Sequence, residues 1–117
     1  MNEVMLEKLH KAMEAMGFTH TLKDILNEIT EGTMQSFVQG DTWCVTRVFK
    51  APQKKVLEVF LLVGEEDKLD EMHRAVEDYA KKLNVDFMRT FARPGWRGWA
   101  AKYGWRRSAE IYRKDLK

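Results

Sequence analysis

Arg89, Arg93, Arg97, Arg106 and Arg107 are interleaved with Phe91, Trp96, Trp99, Tyr103 and Trp105. Guanidinium groups beside flat rings can hold nucleic acid, with arginines on phosphates and rings on bases. The same mixture serves protein interfaces, where Trp, Tyr and Arg are the common anchors. A third reading is core packing: the three- and four-residue spacing of Trp96, Trp99 and Tyr103 puts all three rings on one helix face. Arg93 and Arg97 flank Pro94-Gly95 and could clamp an anion or carboxylate; otherwise they form a solvated face. Arg93, Trp96, Arg97, Trp99 and Arg106 are the expected contact surface.

The other reactive residue types form no constellation. His10, His20 and His73 lie far apart in sequence, and none has a partner at metal-ligand spacing. His73 sits near the edge of an apolar helical stripe, the place of a satisfied boundary histidine. Cys44 is the only cysteine. It excludes a disulfide framework or a cysteine-based zinc site within one chain. Between Trp43 and Val45 it reads as a small buried hydrophobe rather than a nucleophile. There is no serine nucleophile elbow and no P-loop.

These residues need a scaffold, and the periodicity supplies one. Residues 3–16 predict a helix, with Met5, Leu6, Leu9, Met13 and Met16 at helical spacing and Gly17 as its stop. With Met1 the segment is rich in methionine, so it suits packing on its own domain or docking on a partner. Thr21 and Asp24 form a capping-box pattern before the stripe Leu22, Ile25, Leu26 and Ile29, which Gly32 ends. The period then changes to that of strands: Thr33–Gln39, Thr42–Lys50 and Lys55–Val63, joined by Gly40-Asp41 and by Ala51–Lys54, predict an antiparallel meander. Asp67–Leu83 is the clearest helix, carrying Leu69, Met72, Val76, Tyr79, Ala80 and Leu83 on one face, and Asn84 ends it. Val85–Phe91 comes next as a strand parallel to its predecessor through a right-handed crossover. Trp96–Tyr103 is a short helix stopped by Gly104, and Arg107–Arg113 is a final strand.

The 117 residues, 44% apolar and 32% charged, match one globular domain able to bury its own core. The acid-bearing start lacks the apolar region of a signal peptide, and no apolar run is long enough to span a membrane. With one cysteine, these features fit a reducing cytoplasm. The net charge of +2 hides a polarity. From Phe87 onward six Arg and three Lys face Glu110 and Asp115, a net +7, which leaves about −5 for the rest. One face should be basic.

The order strand, long helix, strand, short helix, Gly-aromatic turn, last strand resembles the second half of a GNAT acetyltransferase domain. The resemblance covers about residues 33–116, with Tyr103-Gly104-Trp105 standing where the family has Gly-Phe. It implies an α/β (α+β) fold: a twisted mixed sheet with helices on both faces. Residues 1–117 would form one domain, 1–32 a helical pair and 33–117 the GNAT-like part. Ala92-Arg93-Pro94-Gly95-Trp96-Arg97 followed by Lys102-Tyr103-Gly104-Trp105 also resembles a group of small tailed-phage and prophage proteins. It shares with them a segment like Asp24-Ile25-Leu26 leading to Gly32 and a strand like Val56–Phe60. That resemblance implies a phage setting, in host cytoplasm or virion, with phage structural proteins or a second copy as partners.

The sequence departs from the GNAT pattern where the chemistry lies. The family holds the CoA pyrophosphate on backbone N–H groups in a (Q/R)xxGxG/A loop at the start of its long helix. The matching Val63-Gly64-Glu65-Glu66-Asp67-Lys68-Leu69-Asp70 has one glycine and four acids. Two unit charges about 4 Å apart at an effective dielectric near 20 repel by roughly 4 kcal/mol. The tyrosine that many members place four residues before the turn glycine is Ala100 here. Glu58 could still serve as a base. The expectation is therefore no catalytic residue, no cofactor and no metal, in a GNAT-like protein that acts by docking on protein. The alternatives are an acetyl-CoA-dependent N-acetyltransferase, with Val63, Gly64, Glu65 and Glu66 as its degenerate cofactor loop, and a small nucleic-acid-binding regulator.

Overall fold

The structure, a computed structural model, describes residues 2–117. The elements run α1 (Glu3–Ala15), α2 (Leu22–Glu31), β1 (Gln35–Gln39), β2 (Thr42–Lys50), β3 (Lys55–Val63), α3 (Glu66–Lys82), β4 (Phe87–Thr90), a 3-10 turn (Pro94–Trp96) and α4 (Arg97–Ala101). Local chemistry places most of the boundaries. Asn2 caps α1 by accepting from the Met5 amide, and the Thr21–Asp24 capping box is complete. Gly32 and Asn84 adopt the left-handed conformation that ends α2 and follows α3.

The sheet has the order β1-β2-β3-β4, with β1, β2 and β3 antiparallel and β4 parallel to β3. Helices cover both faces. On one, Met5, Leu9, Ala12 and Met13 of α1 and Ile25 of α2 pack on Trp43, Val45, Leu61 and Val63. On the other, Met72, Val76 and Ala80 of α3 pack on Cys44 and Leu57. The helical pair is thus part of the core. Met1 lies outside the described residues.

One irregularity interrupts the sheet. Val45 pairs with Leu61 but Thr46 pairs with Val59, so Phe60 is an extra residue in β3. Such a bulge turns the side-chain alternation by one position. Below it Leu57 and Val59 face α3; above it Leu61 and Val63 face α1. The ladder between β3 and β4 stops at Val59–Thr90, level with the bulge, while β3 continues to Val63.

The structure departs from the sequence expectation at the C-terminal end. The helix expected over Trp96–Tyr103 is split into a 3-10 turn and the five-residue α4. The strand expected over Arg107–Arg113 does not form; residues 105–117 are irregular, and residues 106–117 are exposed. Strand composition alone does not make a strand; it needs a partner edge, and this segment lies against none among the described residues.

Candidate functional site

Three places bring chemistry-bearing residues together. The first is the start of α3. Gly64 has φ 153°, and a Cβ there would lie 2.5 Å from Thr42 Cα and 2.6 Å from Thr42 Cβ. The glycine is thus required by the approach of β2. The Glu65 amide donates to Thr42 Oγ1 at 3.2 Å, and the Gly64 carbonyl accepts from Lys8 Nζ at 3.1 Å. Glu65 occupies the N-cap without a side-chain capping bond, and Glu66 and Asp67 fill the first turn. The acids complement the helix dipole themselves. These residues do not fit a bound pyrophosphate: three carboxylates at the helix N-terminus repel an anion there, and a hydroxyl takes one of the amides.

The second place is the opening where β3 and β4 part beyond the bulge. It encloses a cavity of about 100 Å³ lined by Phe60, Leu62, Met72, His73, Met88, Trp96, Trp99 and Trp105, with Ala12 and Met16 of α1 on its far side. Ala100 lines it too, a methyl where the resemblance implies an acid-base tyrosine. His73 is buried, its ring stacked on Tyr103 with centroids 4.4 Å apart, and its Nε2 accepts from the Trp105 indole at 2.8 Å. Burial holds its pKa below the ordinary histidine value, while Glu77 and Asp70 pull the other way. With Nε2 engaged by an indole donor, His73 is a structural acceptor. Trp99 packs between Trp96 and Tyr103, at centroid distances of 5.4 and 5.0 Å. Its Nε1–H is buried without a hydrogen-bond partner among the described residues.

The third place was not legible in the sequence. Glu58 lies almost wholly buried on the α1/α2 face of the sheet, between Arg47 of β2 and Arg89 of β4. Arg47 donates to Oε1 from Nε at 2.8 Å and Nη2 at 2.7 Å. Arg89 donates to Oε2 from Nε at 3.1 Å and Nη2 at 3.0 Å. The Arg47 guanidinium also lies 4.8 Å from the Phe60 centroid, and that of Arg89 4.5 Å from Phe49. Both oxygens of Glu58, the residue read above as a possible base, thus receive charged donors. The signal was a glutamate inside the apolar run of β3, which demands a paired cation.

Arg93, Arg97 and Arg106 are exposed and form no salt bridge among the described residues, whereas Trp96 and Trp99 are half-buried in the aromatic cluster. Cys44 is buried against the α3 face, and burial pushes its thiol up to about 12. No group of His, Cys, Asp and Glu able to hold a metal occurs among the described residues. No helix there is long and apolar enough to cross a membrane.

No family model matches the chain, and no curated protein matches it by sequence. Solved structures do. A point mutant of the BH1408 protein from Bacillus halodurans superposes with TM-score 0.68 at 13% identity, over 98% of this chain and 94% of that one. A probable acetyltransferase superposes with TM-score 0.65 at 13% identity, over 97% of this chain and 89% of that one. The fold is GNAT-like, an acetyltransferase-type mixed sheet.

Proposed function

We propose that this chain is a non-catalytic protein on an acetyltransferase-like fold and that it acts by docking on another protein. The observation that carries the reading is the start of α3, where Glu65, Glu66 and Asp67 stand in the place of a pyrophosphate and Thr42 already holds the Glu65 amide. Two further features support it. Glu58 is saturated by arginines, and Ala100 offers no proton at the cleft. The docking surface is Arg93, Arg97 and Arg106, carried on Trp96 and Trp99. Three guanidiniums without a salt bridge among the described residues suit a partner surface bearing carboxylates. The setting, virion assembly or an internal virion component, rests on the likeness of Ala92–Arg97 and Lys102–Trp105 to phage proteins.

The N-acetyltransferase reading draws on the apolar cavity where β3 and β4 part and on the fold likeness to a probable acetyltransferase. Calorimetric titration with acetyl-CoA and with CoA separates the two. We expect no binding heat at ligand concentrations that saturate ordinary acyltransferases. Tight binding would overturn the proposal and restore the enzyme.

A further inference from the structure

We propose that the uncovered half of the sheet's α1/α2 face binds single-stranded nucleic acid, with the rings of Phe49, Phe87 and Phe91 stacking on bases and Arg47 and Arg89 donating to phosphates. This face uses other residues than the arginine surface above and does not depend on whether CoA binds.

The first support is an aromatic face that no helix covers. α1 and α2 pack on the sheet around Trp43, Val45, Leu61 and Val63, above the bulge. Below it the same face runs in two rows, Arg47–Glu58–Arg89 and Phe49–Val56–Phe87, set by the strand registers. Phe91 extends the face just past the end of β4, two residues from Arg89 and on its side. Phe49, Phe87 and Phe91 belong to neither core cluster, and Phe87 and Phe91 are 46% and 58% exposed. Rings gathered at a solvent-facing surface mark a binding site. Phe49 and Phe87 stand two strand spacings apart, about 10 Å, and Phe91 lies about 13 Å along the strand from Phe87. A face of that size takes two or three stacked bases, as other aromatic sheet surfaces do.

The second support is the state of the arginines. Each gives Nε and Nη2 to Glu58, which leaves its Nη1 without a bond among the described residues. The two side chains are 39% and 43% exposed, so these donors can meet an anion from solvent. Both guanidiniums are already held. Glu58 fixes one edge of each, Arg47 lies 4.8 Å from the Phe60 centroid, and Arg89 lies 4.5 Å from that of Phe49 and 5.5 Å from that of Phe91. Side chains fixed in advance lose little freedom on binding a phosphate.

The third support is charge, and it selects the occupant. Glu58 is the only acid in the four strands, and two cations overcompensate it. From Phe87 onward the chain holds six Arg and three Lys against Glu110 and Asp115. A second copy seated face to face would set guanidinium against guanidinium, since a two-fold contact presents the same patch twice. The occupant must be anionic and must also bring flat apolar surface. A single strand supplies both in one repeating unit, phosphates for the arginines and unpaired bases for the rings. A duplex keeps its bases stacked inside, away from Phe87 and Phe91.

Fluorescence anisotropy of short labelled oligothymidylate and oligouridylate with the full chain tests this. We expect saturable binding at low salt. Log affinity should fall against log salt with a slope no shallower than about −1.4, the value for two phosphate contacts on a single strand. Phe87→Ala and Phe91→Ala should each weaken binding about tenfold with the melting curve unchanged, and Phe91→Tyr should retain it. Phe91 lies outside every strand, so its variants keep the test valid even if Phe87→Ala loosens β4. Absence of saturable binding to either oligonucleotide overturns the proposal. So does binding that both alanine variants leave intact, or a duplex held as tightly as the single strand, because charge alone then accounts for it. A polyglutamate peptide bound as tightly as the oligonucleotides, with the same loss in Phe91→Ala, overturns it too and assigns the face to an acidic protein.

Discussion

Glu58 and its two arginines offer a quantitative test of how this sheet tolerates a buried charge. Glu58 is 1% exposed, while the Arg47 and Arg89 side chains are 39% and 43% exposed. In Arg47→Met, Oε1 loses two donors but Arg89 still neutralises the carboxylate, and water can reach the vacated, part-exposed position. The cost should be about 1 kcal/mol, and Arg89→Met should cost a similar amount. In the double variant the carboxylate is left buried with no cation, and removing a buried partner costs about 3–5 kcal/mol. The two substitutions should therefore be coupled by about 1–3 kcal/mol beyond their sum. Urea melts of the four proteins measure the cycle. On heating, at about 4 °C per kcal/mol for a chain of this size, each single variant should lose about 4 °C and the double about 12–20 °C. Adding Glu58→Leu to the double should recover much of the loss, because no charge remains to bury. A double variant whose loss equals the sum of the singles, or a triple variant that recovers nothing, would refute the reasoning.

Gly64→Ala should destabilise by about 2–4 kcal/mol, since its Cβ must displace the Thr42 backbone at φ 153°; a thermal midpoint within a degree of wild type would contradict this. His73 has a lowered pKa in the fold, so the unfolded chain takes up its proton first as pH falls. Its contribution to stability is complete above the unfolded value of 6.5 and declines below it toward the lower folded value. His73→Leu should flatten that part of a stability–pH curve, and an unchanged slope would remove His73 as its source. Cys44, buried and with its thiol pushed up to about 12, should react with a thiol reagent only on unfolding. Rapid labelling of the native protein is the contrary result. Arg93→Ala should weaken docking on an acidic protein partner while leaving the melting curve unchanged, and undiminished binding would take Arg93 out of the surface.

Elements with local signals were readable in the sequence. The capping box at Thr21–Asp24, the turn at Gly40-Asp41, the stripe of α3 and the left-handed Asn84 each depend on residues a few positions apart. They fix α1 through β4 to within a few residues, whereas helices on both faces of the sheet were implied by the resemblance to the GNAT pattern. The acids at the start of α3 were equally plain, because composition at a helix N-terminus acts over one turn.

What only the tertiary structure decided involves residues far apart in the chain. Glu58 meets Arg47 and Arg89 across two strand pairings, and Trp105 reaches His73 from 32 residues away. The bulge at Phe60 sends Leu61 to the opposite face from Val59, a one-residue slip with no signature in composition. Gly64 looked like the remnant of an anion loop, yet what demands it is Thr42 on the neighbouring strand. Arg107–Arg113 has the composition of a strand but no edge of its own chain beside it among the described residues. A helix closes its hydrogen bonds within one segment, so its sequence suffices to announce it. A strand closes them only on a neighbour, and which neighbour is a property of the whole fold.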